Sequence, residues 1–496
     1  MYLENALRPD IHYPVSTRGY WTSDWFERSV ALCPEYVSTP VITAGSSRNA
    51  LPLDLSQNDN LFNSTRVPGV LQDEIRAVGF MPHITVLYRG HPFIVTVADS
   101  EANVLPLDQI YARLRAICCH GVASAAEEVG LLTSLPRTEW STWRTSLLRD
   151  PGNQRNLEEI ETSMFVLCLD NSRDTDVLCA AGAVDKSVAV RQQNCWWDKS
   201  ILVSVWNRGL SVGYEHGWCD GRIVHRYIDM VNADSARCRA SAVPRRSAAT
   251  EPVRHLTWRL SPEQKDAVRR ARVALQTMVD RLDTHHVVLS GLQGCARADV
   301  PALLQLAVQL AWWRLQQSAV STTEDVNMSM FLRGRESAVR APSAACEAFV
   351  LSMHPHNRSH TAAQQAALLR EAVKVYARRK ALTLSGGGTD PHLFGLHNMM
   401  VRLYGREAAL FQDAAYRQHQ APTLSTEPPV DAGALLMSSP LPTPTGYGVR
   451  QRLFDGETLL TSVSCWRDAQ GPRHSASDFA DAFASAMEEI VRLRKL

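Results

Sequence analysis

The run SVGYEHGWCDG, Ser211 to Gly221, contains the residue types best suited to chemistry in this chain. His216 follows Tyr214 and Glu215, precedes Asp220, and has Gly213, Gly217 and Gly221 close by. An imidazole exchanges a proton near neutral pH without help, and small neighbours leave room for a substrate beside it. Leu210, Val212 and Tyr214 alternate as in a strand, so His216 sits at a strand end, where side chains open onto a cleft. The run offers no metal partner, and Asp220 is the carboxylate placed to hold the ring. A histidine in this setting acts as a general base without a serine or cysteine nucleophile, provided that the substrate brings its own hydroxyl.

Three other motifs compete and lose. GLSVG, Gly209 to Gly213, matches the GxSxG nucleophile elbow, but that motif needs a sharp turn from strand into helix at the serine. Here the alternation runs on past Ser211, so an ordinary strand serine is expected. HPHNRSH, His354 to His360, has metal-like spacing without cysteine or carboxylate company and reads as a loop between helices. SGGGTD follows a helix rather than a strand and lacks the Lys-Ser/Thr of a phosphate loop, so it reads as a turn.

The elements that must position His216 are legible around it. MPHITVLYRGHPFIVTV reads as two strands about a turn, SMFVLCLD as a buried strand, and KSILVSVW-NRG-LSVGYEH as strand, turn, strand. Residues 233–252, rich in Ala, Ser, Arg and Pro, lack apolar periodicity and read as a domain junction. Beyond it, Ser261, Pro262 and Gln264 form a capping pattern ahead of a helix. Two more helices follow at PALLQLAVQLAWWRLQQ and AAQQAALLREAVKVYARRKAL, then a hairpin, YGVRQRLF-DGE-TLLTSVSCW, and a closing amphipathic helix. No repeat period is visible. The reading is an α/β protein of two domains, residues 1–250 and 251–496.

Composition bounds the rest. The 496 residues are 45% hydrophobic and 21% charged, ordinary globular material. A net charge of +1 gives no reason to expect nucleic acid or a membrane surface as partner. Eleven cysteines without a CxxC spacing point to reduced thiols and a cytoplasmic setting. No signal pattern opens the chain, and its most apolar helix is too short to span a bilayer.

In NLFNSTRVPG, DQIYARLRAI, LLTSLPRTEW, WWDKSILVSVWNRGLSVGYEHGWCDG, FLRGRESAVR, GGGTDPHLFGL, TLSTEPP, TGYGV and TSVS, taken in order, the chain resembles the choline/carnitine acyltransferases. The resemblance implies two chloramphenicol-acetyltransferase-like lobes, mixed sheets flanked by helices, and a substrate tunnel at their interface. It implies His216 as general base between an acceptor hydroxyl and a pantetheine thioester, with no acyl-enzyme and no metal. Asp220 falls where the family keeps a carboxylate near the histidine. Ser425 and Thr426 of LST would donate to the oxyanion.

Departures from the family pattern narrow the substrates. Glu336, after Arg335, replaces a threonine that helps hold the carnitine carboxylate, and Pro391 replaces an arginine that pairs with it. Thr323 and Thr461 replace aromatics, which weakens a site for a quaternary ammonium. Those residues, with Tyr447 of TGYGV, line the acceptor side, and a neutral polyol fits them better than carnitine or choline. On the donor side Arg297 and Glu324 are expected, but the lysines that meet the phosphates of coenzyme A are missing. Glu427 stands where the family's Ser-Thr-Ser ends in serine. The family's N-terminal helical segment is also missing, as in an excised domain. The resemblance is therefore greatest to the carnitine-acyltransferase-like domains of fungal highly reducing polyketide synthases. These imply an acyl carrier protein as partner and release of a polyketide as an ester.

Overall fold

The computed structural model describes residues 18–20, 52–54, 56–120, 128–169, 194–206, 209–237, 253–290, 292, 295, 299–354, 359–427, 430–431, 443–454, 458–467 and 473–495. The architecture is α/β, with two mixed sheets, each flanked by helices. Two compact units result, the first made chiefly of residues 55–178 and 185–280, the second chiefly of 281–496.

In the first unit a small antiparallel pair, β1 (Ser64–Val67) and β2 (Glu74–Ala77), precedes the main sheet. The sheet comprises β3 (His83–Tyr88), β4 (His91–Thr96), β5 (Val166–Leu169), β6 (Ile201–Trp206), β7 (Gly209–Tyr214) and β8 (Arg254–His255). Their order is β8-β4-β3-β5-β6-β7. Every residue of β3 is buried, as a strand covered on both faces requires. The β3–β4 hairpin turns at Arg89 and Gly90, both with positive φ. Helices α1 (Leu107–Cys118), α2 (Arg137–Leu147), α3 (Pro151–Thr162) and α4 (Gly221–Arg237) flank the strands in sequence. Asp150 caps α3 by accepting from the Gly152 and Asn153 N–H groups, with Pro151 in the first turn. Residues 233–237, expected to open the junction, form the last turn and a half of α4; residues 238–252 lie outside the described residues.

Helix α5 (Pro262–Arg281) starts at the expected capping box: the Gln264 side chain accepts from the Ser261 N–H, and Ser261 Oγ accepts from the Gln264 N–H. Its buried stripe, Ala267, Val268, Ala271 and Leu275, enters the core built on Trp140, Trp196 and Trp258. The first unit therefore runs to residue 280 rather than 250, because this apolar stripe finds its partners there.

The second unit has strands β9 (Leu282–Ser290), β10 (Thr322–Asn327), β11 (Glu336–Arg340), β12 (Leu424–Thr426), β13 (Tyr447–Phe454) and β14 (Thr458–Trp466), in the order β9-β14-β13-β12-β10-β11. The short strand Val430–Asp431 also pairs with β13. Its helices are α6 (Val300–Gln316), α7 (Ala344–Ser352), α8 (Ala362–Leu382), α9 (Thr389–Tyr404) and α10 (Ala476–Arg494), with shorter turns between. Helix α6 is buried on all sides from Val300 to Trp312 because it packs against α7, α8 and α10, which explains its unbroken apolar run. Leu424, Tyr447, Val449, Leu459 and Val463 face this helical core, so alternate residues of the same strands face the other side of the sheet.

Both sheets repeat one pattern of pairing. Read along the orders given, each runs antiparallel, antiparallel, parallel, parallel, antiparallel.

Candidate active site

Ser211 lies inside β7, opposite Ser204 of β6, so GLSVG is strand and no elbow forms. The chain leaves β7 at Tyr214, turns over residues 216–218, and enters α4 at Gly221. The turn is held from both sides. Glu215 N–H and Trp218 Nε1 both donate to the Ser200 carbonyl, at 3.2 and 3.0 Å. The Glu215 carboxylate accepts from Arg66 Nη1 at 2.6 Å and from the Gly217 N–H at 2.7 Å. A Cβ on Gly217 would lie 2.7 Å from that same carboxylate oxygen, so glycine is needed for the closed turn. Asp220, 1% exposed, is gripped at two points by Gln57, whose Nε2 donates to its carboxylate and whose Oε1 accepts from its N–H, both at 2.8 Å.

Within this frame the His216 ring is exposed, and its Nδ1 lies 2.9 Å from the Cys219 carbonyl oxygen. A carbonyl only accepts, so Nδ1 carries the proton of the neutral ring and Nε2 keeps its lone pair. The contact places the ring's orienting partner on the backbone, while the Asp220 carboxylate serves Gln57. Asp220 thus fixes the turn rather than standing in for the Cys219 carbonyl.

Arg66 continues into a partly buried ionic chain that ends at the buried Asp198. Its Nε meets Asp73 at 2.7 Å, Asp73 meets Arg137 at 2.6 Å, and Arg137 meets Asp198, which also accepts from Trp140 Nε1 at 2.6 Å. Burial opposes the charge on Asp73, but the Gly69 N–H and the two guanidinium groups outweigh it and hold the carboxyl below its ordinary range. For Asp198 burial prevails over Arg137 and Trp140 and pushes the carboxyl up to about 6. Neither Arg66 nor Gln57 is singled out by sequence reasoning. Arg66 is flagged only by its RVPG segment, and Gln57 by nothing local, since it lies 163 residues from its partner.

In the second unit, one face of the sheet carries a row of register neighbours: Arg340 (β11), Thr323 (β10), Ser425 (β12), Gly448 (β13) and Ser464 (β14). Glu336 lies farther along the Arg340 face of β11. This assembles three of the expected residues, Thr323, Ser425 and Glu336. Glu427, next along from Ser425, is ion-paired with Arg450. Arg335 lies just before β11, and its carbonyl accepts from the Met328 N–H at 2.8 Å. Pro391 is exposed in the first turn of α9, where a missing N–H costs nothing. Two cations lie nearby: Arg340, whose guanidinium forms a bidentate pair with Asp390 at 3.2 and 3.0 Å, and Arg379, which donates to the Arg340 and Pro342 carbonyls. A cavity of about 610 Å³ opens beside the β11 edge, with Ala338, Arg340, Thr383, Gly388, Asp390 and His419 in its wall.

Four expected residues lie elsewhere. Thr426, 0% exposed, faces the helices and donates its hydroxyl proton to the Thr323 carbonyl at 2.7 Å, so it has none left for an oxyanion. Tyr447 packs on Trp312 and Phe479 and donates to the His474 carbonyl at 2.9 Å, which makes it a core residue. Thr461 lies on that helical side too, on the face shared by Leu459 and Val463. Glu324 is fully buried among Gln305, Tyr376 and Lys380 rather than turned to a donor. Arg297 lies outside the described residues. Among the described residues no group of three or more His, Cys, Asp or Glu is arranged to hold a metal, and no helix is long and apolar enough to cross a membrane.

A family model described as choline/carnitine O-acyltransferase matches residues 28–485. The chain is 30% identical to the mitochondrial carnitine O-palmitoyltransferase 2 of Xenopus tropicalis over 417 residues, 81% of this chain and 62% of that protein. It is 29% identical to the Rattus norvegicus enzyme of that name over 497 residues, covering 98% and 72%. To Rattus norvegicus carnitine O-acetyltransferase it is 27% identical over 420 residues, covering 80% and 66%. Among solved structures, the epimerization domain of tyrocidine synthetase B aligns at 12% identity and a TM-score of 0.36, over 66% of this chain and 80% of that one.

Proposed function

The chain belongs to the choline/carnitine O-acyltransferase family, and on that premise we propose that it transfers an acyl group from a pantetheine thioester to an acceptor hydroxyl, with His216 as general base. His216 Nε2 takes the hydroxyl proton as the acceptor oxygen attacks the thioester carbonyl. The tetrahedral intermediate collapses, the C–S bond breaks, and the proton passes from Nε2 to the departing thiolate. The imidazole ends as it began, and no acyl-enzyme forms. Ser425 is the hydroxyl assigned to the oxyanion, because Thr426 donates elsewhere. The observation that carries the reading is the Nδ1 contact with the Cys219 carbonyl, which leaves Nε2 as the basic nitrogen.

The names of the relatives favour carnitine as acceptor, and acyl-CoA is the donor that goes with that reading. A second reading rests on the acceptor face itself. Glu336 adds an anion there, Pro391 brings no cation where the family keeps one, and Arg340 is paired with Asp390, so these three positions do not favour a carboxylate. A neutral alcohol or polyol fits that face, with the thioester on an acyl carrier protein and a polyketide released as its ester. An acceptor screen by mass spectrometry decides between them: acyl-pantetheine and acyl-CoA offered with carnitine, choline, glycerol-like polyols and water. His216→Ala is expected to lower transfer by at least about a thousandfold with folding preserved. Acylcarnitine as the main product supports the first reading and polyol esters the second. Transfer that survives in the variant removes both.

A further inference from the structure

The helix-facing side of the second sheet contains a connected set of buried polar groups. Lys380 and Tyr376 of α8, Glu324 of β10, Gln305 of α6 and Thr426 of β12 are each no more than 7% exposed. Lys380 Nζ meets Glu324 Oε1 at 2.5 Å, and the Tyr376 hydroxyl donates to Oε2 at 2.6 Å. Gln305 Nε2 donates to the same Oε2 and to Thr426 Oγ1, both at 2.8 Å. Because Oγ1 accepts from Gln305, its own proton points away, to the Thr323 carbonyl at 2.7 Å. The Thr426 hydroxyl is thus held directly by α6 and β10, and α8 reaches it through Glu324 and Gln305.

Stability alone does not account for this set. Burying an ion pair carries a desolvation penalty that the pair's attraction offsets only with good geometry, and well-packed apolar replacements of similar size are often neutral or stabilising. What the set adds is location. Strand β12 is three residues long, with three register pairs on each side, so its own ladder holds it weakly. The Thr426 hydroxyl adds a side-chain bond from β12 to β10 on the hidden face, directly behind Ser425 and Thr323 on the other. Gln305 and the Glu324–Lys380 pair fix that hydroxyl's direction.

We propose that Lys380, Glu324, Gln305 and Thr426 are positioning residues for acyl transfer: a buried hydrogen-bonded tie that sets the place of Ser425 without touching substrate. The proposal rests on the reading of Ser425 given above. Helix α8 also leads into the Thr383–Asp390 segment that lines the cavity beside β11, so the tie links Ser425 to that segment through one rigid helix.

The test uses Thr426→Val, which keeps the shape and removes the hydroxyl, beside Thr426→Ser, which keeps the hydroxyl. The valine variant is expected to fold, to lose at least about tenfold in kcat with KM for the thioester within about twofold of wild type, and to exchange the backbone amides of 424–426 faster. The serine variant should restore kcat to within about threefold. Glu324→Leu with Lys380→Met and Tyr376→Phe, which leaves neither a lone charge nor an orphaned hydroxyl, should fold and share the kcat loss. Unchanged kcat in Thr426→Val overturns the proposal, as does equal loss in the valine and serine variants. Amide exchange separates the two ideas. If wild type transfers nothing, the functional reading fails, and unchanged exchange at 424–426 in Thr426→Val then overturns the tie as well.

Discussion

A neutral imidazole has one proton for two nitrogens, and in His216 the backbone decides which nitrogen keeps it. That decision depends on residues distant in sequence: Arg66 closes the turn through Glu215, and Gln57 clamps Asp220. The histidine was legible because glycine, strand alternation and neighbouring carboxylates are local signals. Its supports were not, since a contact across 149 or 163 residues leaves no local trace. Thr426 and Tyr447 illustrate the limit differently: a hydroxyl in a motif looks available until the structure shows where its proton points. Another buried histidine yields a pH prediction. His83 Nε2 lies 2.9 Å from the Glu159 carbonyl oxygen and donates to it, so the neutral ring carries its proton there, and burial, with Lys199 and Arg254, lowers its pKa from 6.5 to about 4. Its contribution to stability is full above pH 6.5 and is lost as pH falls toward 4, on the order of 3 kcal/mol in all. Urea midpoints measured from pH 7 to 4 should fall, and His83→Gln should flatten that slope; an unchanged slope removes His83 as its source.

At the scale of elements, hairpins and capped helices were plain because turn residues and capping boxes act over three or four positions. The α3, α5 and α10 starts all follow that chemistry. The end of α4 and the home of α5 were not, because a polar composition conceals a helical turn and an apolar stripe does not name its partner. Strand β12 was legible as a motif, not as a strand, being too short for periodicity. Its start depends on close approach: a Cβ on Gly446 would lie 1.8 Å from the Thr423 carbonyl oxygen, which also accepts from the Tyr447 N–H at 3.2 Å. Gly446→Ala must push β12 and β13 apart. Denaturant unfolding should show a loss of about 1–3 kcal/mol, with transfer activity reduced more than stability alone explains. Wild-type midpoint and rate in that variant would mean that the loop relaxes freely.

For the whole molecule, the repeated pairing pattern of the two sheets was invisible in the sequence, where no repeat period can be found. Strand order is set by pairing at long range, and different side chains satisfy the same ladder. Each unit has its own core, and that of the second is built around α6. Leu304, 0% exposed on that helix, has no solvent route to relax a void, so Leu304→Ala should cost about 2–5 kcal/mol in equilibrium unfolding. A cost below about 1 kcal/mol would show that the helix packs loosely.

The Lys380–Glu324 pair also gives the protein a preference between warm and cold. Hydration of charged groups becomes less favourable as temperature rises, so the penalty for keeping this pair out of water shrinks on warming. On cooling, water competes for the same two charges more strongly, while the apolar packing around them weakens as well. The contact between α8 and β10 is therefore a point of cold sensitivity, and it lies directly behind the strand that carries Ser425.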